Sequence, residues 1–417
     1  MSLADDAKLL LIPTGYKTSK VYSVFPTDGD GDFDYTRSGD ASRVNPGGLI
    51  ETVGTNIPRI DHLGGGCPTL NLEPQRTNLF RYSEEYDQPS TYWNKIRFTI
   101  SADAIISPNG TLTADEVFET ADNNNRFLYQ NISVTSGNDY SISFFVKYNN
   151  IQYLQLASST GFSGSEYVNF DIINGTITKN FYNTVASIEQ YSNGWFRISM
   201  TETSSTTTTG RIVLASIPSG TSNRLPGYIG NTSNSFYLWG GQMEQGYHTS
   251  YIKTEASAVT RLKDECHLLN QTLFTDYPFT VYAKAKVESV GNTIFSIVDS
   301  TNANKYLTFN ISSSTQVAVF RRDTTNNDAD YYNFSYSIGD TIKVAVAFIS
   351  DTAYKLYVNG TELADVTSGL FVPFDHNDIA LGQLRIASDT GTRNSIDDFR
   401  VYDYTLTDAE LTELTTL

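Results

Sequence analysis

From about Leu79 to Thr260, apolar and polar residues alternate in strand-length runs. They include Arg126–Val134 (RFLYQNISV), Asp139–Tyr148 (DYSISFFVKY), Tyr153–Ser158 (YLQLAS), Tyr167–Ile172 (YVNFDI), Gly194–Thr203 (GWFRISMTET) and Gly210–Ile217 (GRIVLASI). Successive side chains of a strand point to opposite faces, so a period of two marks one buried and one open face. Gly, Asn and Ser turns separate the runs and no long helical period interrupts them, which is the pattern of a sandwich or jelly roll.

A second series occupies about Leu262 to Leu417, with FTVYAKAKV, NTIFSIVD, KYLTFNI, QVAVFRR, TIKVAVAFI, YKLYVNGTEL and NSIDDFRVYDY. Within it, Asn359-Gly360 predicts a hairpin closed by a two-residue type I′ turn, whose twist matches that of paired strands. Thr407 to Glu410 reads T-x-x-E ahead of LTEL, a capping box that opens a short terminal helix, the only helix expected. The first 80 residues differ: KLLLIP, KVYSVF and GLIETVG are short apolar pieces broken by DGDGD, NPGG and HLGGGCP. Glycine and proline clusters punctuate turns rather than build long strands. The expected architecture is all-β: two consecutive antiparallel β-sandwich (jelly-roll) domains at 81–261 and 262–417, preceded by an extended anchoring or oligomerisation segment at 1–80.

Composition agrees with this. The chain has 417 residues, enough for two or three domains, with 39% hydrophobic residues and 27 Tyr and 23 Phe against 3 Met. Aromatic-rich, Met-poor chains with many polar turn residues suit short pleated strands. A formal charge of −17 repels phosphate backbones and anionic membranes, so neither nucleic acid nor membrane is an expected partner. No run approaches the roughly 18 apolar residues of a membrane span. The stretch LLLIP follows DDAK and lacks the length of a signal peptide, so the chain is expected to start as a mature cytosolic product. Cys67 and Cys266 are far apart with no CxxC spacing, and two unpaired, buried thiols are expected.

Catalytic patterns are missing. Glycan hydrolysis needs two carboxylates at a fixed separation facing one cleft, and no E-x-D-x-x-E run occurs. The adjacent acids Asp397 and Asp398 would point to opposite faces of a strand, and Asp408 and Glu410 fall in the helix cap. There is no G-x-S-x-G elbow, and His62, His248, His267 and His376 are scattered without a metal-binding spacing. The chain is therefore not expected to be an enzyme. The run DGDGDFD makes Asp28, Asp30 and Asp32 calcium candidates, but an EF-hand loop counted from Asp28 would need Gly and Glu where Phe33 and Gly39 stand. A solvated acidic turn is the favoured reading, with a non-EF calcium site or an inter-chain contact left open. No other cofactor is expected.

Sugar recognition needs an exposed aromatic face rimmed by planar polar groups. Trp195 and Trp239 sit in apolar alternation and read as core. Trp93, flanked by Asn94 and Lys95, is the best single candidate. Tyr153 and Gln155 share one face of a strand. Tyr331 and Tyr332 end the polar stretch Arg321–Asn333, read as a loop at a sandwich rim, where recognition residues concentrate.

Four phrases in order, Ser107–Val117, Tyr129–Lys147, Asn193–Thr201 and Phe236–Thr254, resemble the carbohydrate-binding-module-like jelly roll of galactose-binding-like type that recurs in phage tail and fibre proteins. Thr36–His62 and Leu70–Phe80 are similar to the stretch that precedes this module in phage structural proteins. Tyr354–Leu363 and Ile396–Leu411 resemble the end of a concanavalin A-like or LamG jelly roll. Jelly rolls of both types often carry a structural calcium. The resemblance implies a non-enzymatic bacteriophage virion protein, assembled in the host cytoplasm, forming a fibre, spike or decoration on head or tail. Its implied partners are host cell-surface glycans and other virion proteins, and it implies a homo-oligomer, with a trimer as one option. A purely architectural virion protein and a polysaccharide depolymerase are the alternatives.

Overall fold

The computed structural model describes residues 2–299, 301–323, 327–369, 377–383 and 393–417. The fold is all-β, and among the described residues the single α-helix is Asp408–Thr415. No described helix is long and apolar enough to cross a membrane. The chain divides into two compact units. Unit 1 comprises Met1–Asp40, Val53–Gln75 and Leu262–Leu417, and unit 2 comprises Ala41–Thr52 and Arg76–Arg261.

Unit 2 is a sandwich of two six-stranded antiparallel sheets. One runs Asn94–Ile96, Phe127–Tyr129, Ile212–Ser216, Tyr153–Ser158, Tyr167–Asp171, Thr176–Phe181, and the other Phe98–Ile106, Leu112–Glu119, Ser235–Gln245, Asp139–Tyr148, Trp195–Thr203, Val185–Gln190. The alternating residues read from the sequence supply its core: Ile142, Phe144 and Val146 from one sheet meet Leu154, Leu156, Val168 and Phe170 from the other. The hairpin at residues 41–52 belongs to this unit, with Ile50 N–H bonded to Pro108 O at 3.0 Å and Ser192 Oγ to Gly48 O at 2.7 Å.

In unit 1 an eight-stranded sheet faces a nine-stranded one. The first contains Phe279–Val287 between Thr341–Phe348 and Asn394–Tyr402; the second ends in Asn302–Ser313, Gln316–Arg322 and Asn327–Asn333. One continuous apolar core lies between them. The expected hairpin is present, with Asn359 at φ 48° and Gly360 at φ 78° between paired strands. So is the capping box: Thr407 Oγ1 accepts from Glu410 N–H while Glu410 Oε2 accepts from Thr407 N–H. The helix then buries Leu411 and Leu414 against Tyr357, Ala345 and Ala347 on the outside of the eight-stranded sheet.

The expected extended segment at 1–80 is instead shared between the units. Leu9–Leu11 and Thr69–Leu72 both pair with Asn394–Tyr402, and Phe33–Thr36 pairs with Glu265–Leu268. Strands of three or four residues look like punctuation in a sequence, yet each completes a ladder against a distant strand and buries Leu9, Leu11, Phe33, Tyr35, Leu70 and Leu72 in the unit 1 core. Both cysteines are free. Cys266 is buried in that core, and burial pushes its thiol pKa up, whereas Cys67 is exposed rather than buried.

Candidate functional site

An exposed aromatic surface of unit 1 lies on the outer face of the last three strands of its nine-stranded sheet. Leu307, Phe309, Ile311, Val317 and Val319 point into the core, so the alternate residues Thr308, Asn310, Ala318 and Phe320 point outward. In the ladder, Thr308 lies opposite Phe320, which lies opposite Ala329; Asn310 lies opposite Ala318, which lies opposite Tyr331. Each large ring thus has an alanine as its cross-strand partner. Tyr331 and Phe320 are diagonal neighbours, 5.7 Å between centroids at 69°, and Tyr331 is 54% exposed.

Polar groups surround this pair. The Arg322 guanidinium lies 6.0 Å from the Tyr306 ring centroid, and Arg322 is half-buried opposite exposed Asn327. Exposed Asn333 accepts from Gln316 Nε2 at 3.4 Å. Thr308 and Asn310 are buried, Thr308 Oγ1 donating to Phe295 O at 2.8 Å, so the floor beneath the rings is fixed.

The other face of the edge strand is held by charge. Arg321, 2% exposed, pairs with Asp328, and its guanidinium lies 4.8 Å from the Tyr354 ring centroid. Tyr354 O–H donates to Asp330 Oδ2 at 2.5 Å and also meets the Tyr332 hydroxyl. Burial, reinforced by the bond to Asp330, raises the Tyr354 pKa far above the ordinary phenol value, so it remains a donor. Tyr331 and Tyr332, expected as a pair on a loop, are therefore split. They belong to the strand Asn327–Asn333, and strand alternation sends Tyr331 to solvent and Tyr332 against the core. Residues 324–326 of the expected loop lie outside the described residues.

Trp93 is not a surface platform. It is fully buried among Phe80, Tyr86 and Phe144, with Nε1 donating to Tyr82 O at 2.9 Å. Its polar neighbour Lys95 folds back to donate to Tyr86 O and Asp87 O at 3.2 and 3.1 Å, tying it to the segment whose Tyr86 ring packs on the indole. Tyr153 and Gln155 do share a face, but the segment from Gly220 to Leu225 lies on it. Gln155 is buried, with Nε2 donating to Asn169 Oδ1 at 2.7 Å and to Asn223 O at 3.1 Å, and Oε1 accepting from Leu225 N–H at 2.7 Å. A Cβ on Gly220 would stand 3.0 Å from the half-buried Tyr153 ring.

The acidic candidates are engaged in local structure. Asp28 Oδ1 accepts from Asp30 N–H at 3.1 Å and Asp32 Oδ1 from Ser23 N–H at 2.9 Å. Among the described residues no three His, Cys, Asp or Glu side chains converge as metal ligands. Asp397 pairs with Lys284 at 2.6 Å, Asp398 with Arg400, and Asp408 with Lys355 at 2.6 Å. Sequence reading missed Phe320 and Arg322, although alternation along QVAVFRR places both on the face opposite Val317 and Val319. It also missed Glu202 in unit 2. That buried carboxyl accepts from Ser163 N–H and Oγ at 3.2 and 2.8 Å, and its pKa is pushed up to about 8 by burial and then by the neighbouring Glu166.

Residues 263–412 match the Laminin G family model described as the concanavalin A-like lectin/glucanases superfamily. No curated protein matches the chain. Among solved structures, the IT-sialidase CBM40 of Ruminococcus gnavus bound to alpha2,3 sialyllactose is 19% identical, with 34% of this chain and 84% of that one covered and a TM-score of 0.31. Domain 4 of AbnA, an extracellular arabinanase from Geobacillus stearothermophilus, in complex with arabinotriose, is 19% identical over 41% of this chain and 82% of that one, at a TM-score of 0.31. A heptameric SAP-like pentraxin from Limulus polyphemus is 16% identical over 33% of this chain and 69% of that one, at a TM-score of 0.28.

Proposed function

We propose that this chain is a non-enzymatic glycan-binding protein whose unit 1 engages saccharide on the Tyr331–Phe320 surface. The observation that carries the proposal is an exposed tyrosine on a strand locked from its opposite face by the Arg321, Asp328, Asp330 and Tyr354 contacts. A pyranose ring offers an apolar C–H face and a rim of hydroxyls, and the exposed Tyr331 ring beside half-buried Phe320, flanked by amide and guanidinium groups, complements both. The match of residues 263–412 to a superfamily of lectins and glucanases supports placing the site in this unit. Fold alone does not give function, so the weight rests on the surface itself. Engagement of Asp397, Asp398 and Asp408 in ion pairs supports binding without cleavage.

The setting proposed is a bacteriophage virion, with the chain as fibre, spike or decoration and other virion proteins as neighbours. The likeness of Thr36–His62 to the stretch that precedes such modules in phage structural proteins supports it. In a homo-oligomer displayed in many copies, weak sites gain avidity through effective concentration, which suits a shallow surface. Tyr331→Ala, compared with the parent chain on a glycan array and in whole-cell adsorption, should abolish or weaken binding while the fold persists. A parent chain that binds no glycan would overturn the proposal and leave an architectural role. Release of reducing ends from a host polysaccharide would show a depolymerase instead.

A further inference from the structure

Unit 2 carries a separate aromatic corner at the turn joining Thr176–Phe181 to Val185–Gln190, the edge strands of its two sheets. Phe181 stacks on Tyr167 at 5.1 Å and 17°, and Tyr182 meets Phe181 at 4.4 Å and 71°, so two rings stand nearly at right angles. Phe181 is 40% and Tyr182 68% exposed. The turn is built to hold them there. Asn180 Oδ1 accepts from Thr184 N–H at 2.9 Å, its Nδ2 donates to Thr184 O at 2.7 Å, and Thr184 Oγ1 donates to Phe181 O at 3.2 Å.

Tyr182 and Asn183 both occupy the left-handed region, at φ 68° and 52°. Asn is at home there, but a bulky aromatic is disfavoured, since its Cβ crowds the following carbonyl. A glycine would satisfy the same turn without that penalty. The chain instead keeps a strained tyrosine whose ring is mostly in water, contributing little to the core, and strain held without a folding benefit points to function.

We infer that this corner is a second saccharide site. The two rings, nearly at right angles, with Val185 (44% exposed) at the end of the same turn, form a small apolar corner that suits the C–H face of a single saccharide ring. Exposed Asn183 follows Tyr182 in the turn, and exposed Asn223 is tied to the base of the stack, its Oδ1 accepting from Lys179 Nζ at 3.0 Å; both offer amide groups for sugar hydroxyls. Lys179 also lies over the Tyr167 ring, 5.1 Å from the centroid, which anchors the base of the stack. The inference rests on the reading of this chain as a glycan binder but uses different residues, so each chain would offer two independent contacts to a polysaccharide.

The test uses the full-length chain with Tyr182→Gly, Tyr182→Phe and, separately, Tyr331→Ala, on an array of hexose-, N-acetylhexosamine- and uronic-acid-containing oligosaccharides. Glycine suits the backbone at position 182, so Tyr182→Gly should keep or raise the Tm. Its binding to glycans retained by Tyr331→Ala should fall by about tenfold or more, the loss of one stacking contact, while Tyr182→Phe retains it. A Tyr182→Gly profile identical to the parent's overturns the inference, as does loss of all binding in Tyr331→Ala alone. Loss confined to the position 182 variant supports this corner and overturns the unit 1 site. A parent that binds nothing on the array overturns both.

Discussion

Arg59 and Asp264, 205 residues apart in the chain, form an ion pair in which neither side chain is exposed. Arg59 Nη1 also donates to Glu73 Oε2 at 2.6 Å, and Asp264 accepts from Tyr35 O–H at 2.5 Å and from Arg37 Nη1 at 3.3 Å. Four short segments of unit 1 are thereby tied at one buried point. Desolvation opposes the Arg59 charge, and the two carboxylates outweigh it, raising its pKa well above the ordinary value.

Removing Arg59 leaves buried Asp264 with Arg37 as a cation and takes from Glu73 its closest one, and breaking a buried pair costs about 3–5 kcal/mol. Arg59→Met should destabilise unit 1 by that order. Hydrogen exchange would report it as lost protection in Phe33–Thr36 and Thr69–Leu72, and unchanged protection in those strands would contradict the account.

Trp93→Ala should cost unit 2 about 3–5 kcal/mol, since it empties a site packed by Phe80, Tyr86 and Phe144. Denaturant unfolding measures this. Glycan binding through Tyr331 should survive in the fraction that remains folded; selective loss of binding with no change in stability would restore Trp93 as a contact residue.

What could be read from the sequence was whatever is determined locally. The Asn359-Gly360 turn and the Thr407–Glu410 cap depend on residues within three positions of one another, and both are present. Strand alternation likewise carried the all-β fold, and applied to Tyr331 and Tyr332 it would have separated them, had the stretch Asp328–Asn333 not looked too polar for a strand. Burial of Trp93 and Gln155 depends on contacts across the fold. Gln155 is covered by a segment whose Asn223 is 68 residues away, and no local pattern announces it. Leu9–Leu11, Phe33–Thr36 and Thr69–Leu72 were hidden for the same reason, each having a strand partner beyond residue 260.

Thr407→Ala removes the side-chain acceptor for Glu410 N–H and should cost about 1 kcal/mol. The helix buries only Leu411, Leu414 and Thr415, so faster exchange should be confined to residues 408–415 and the strands beneath them. Global loss of protection would mean that the helix is more central to unit 1 than its packing indicates.

Glu202 gives stability a definite pH dependence. Its carboxyl titrates near 4.5 when unfolded and at about 8 when folded, because burial and then Glu166 disfavour the anion, with Arg224 the nearby cation. Between these values the folded state holds a proton that unfolding releases, so stability falls as pH rises from about 4.5 to about 8 and is level beyond. Asp115, also pushed up by burial, to about 7, acts in the same direction within this window, so the Glu202 share must be isolated by comparison. Glu202→Gln keeps an acceptor for Ser163 N–H and Oγ but removes the charge. Its Tm should match the parent's near pH 5, exceed it progressively toward about pH 8 and keep that margin above; parallel curves across that range would show that the carboxyl is ionised at an ordinary pKa in the folded chain.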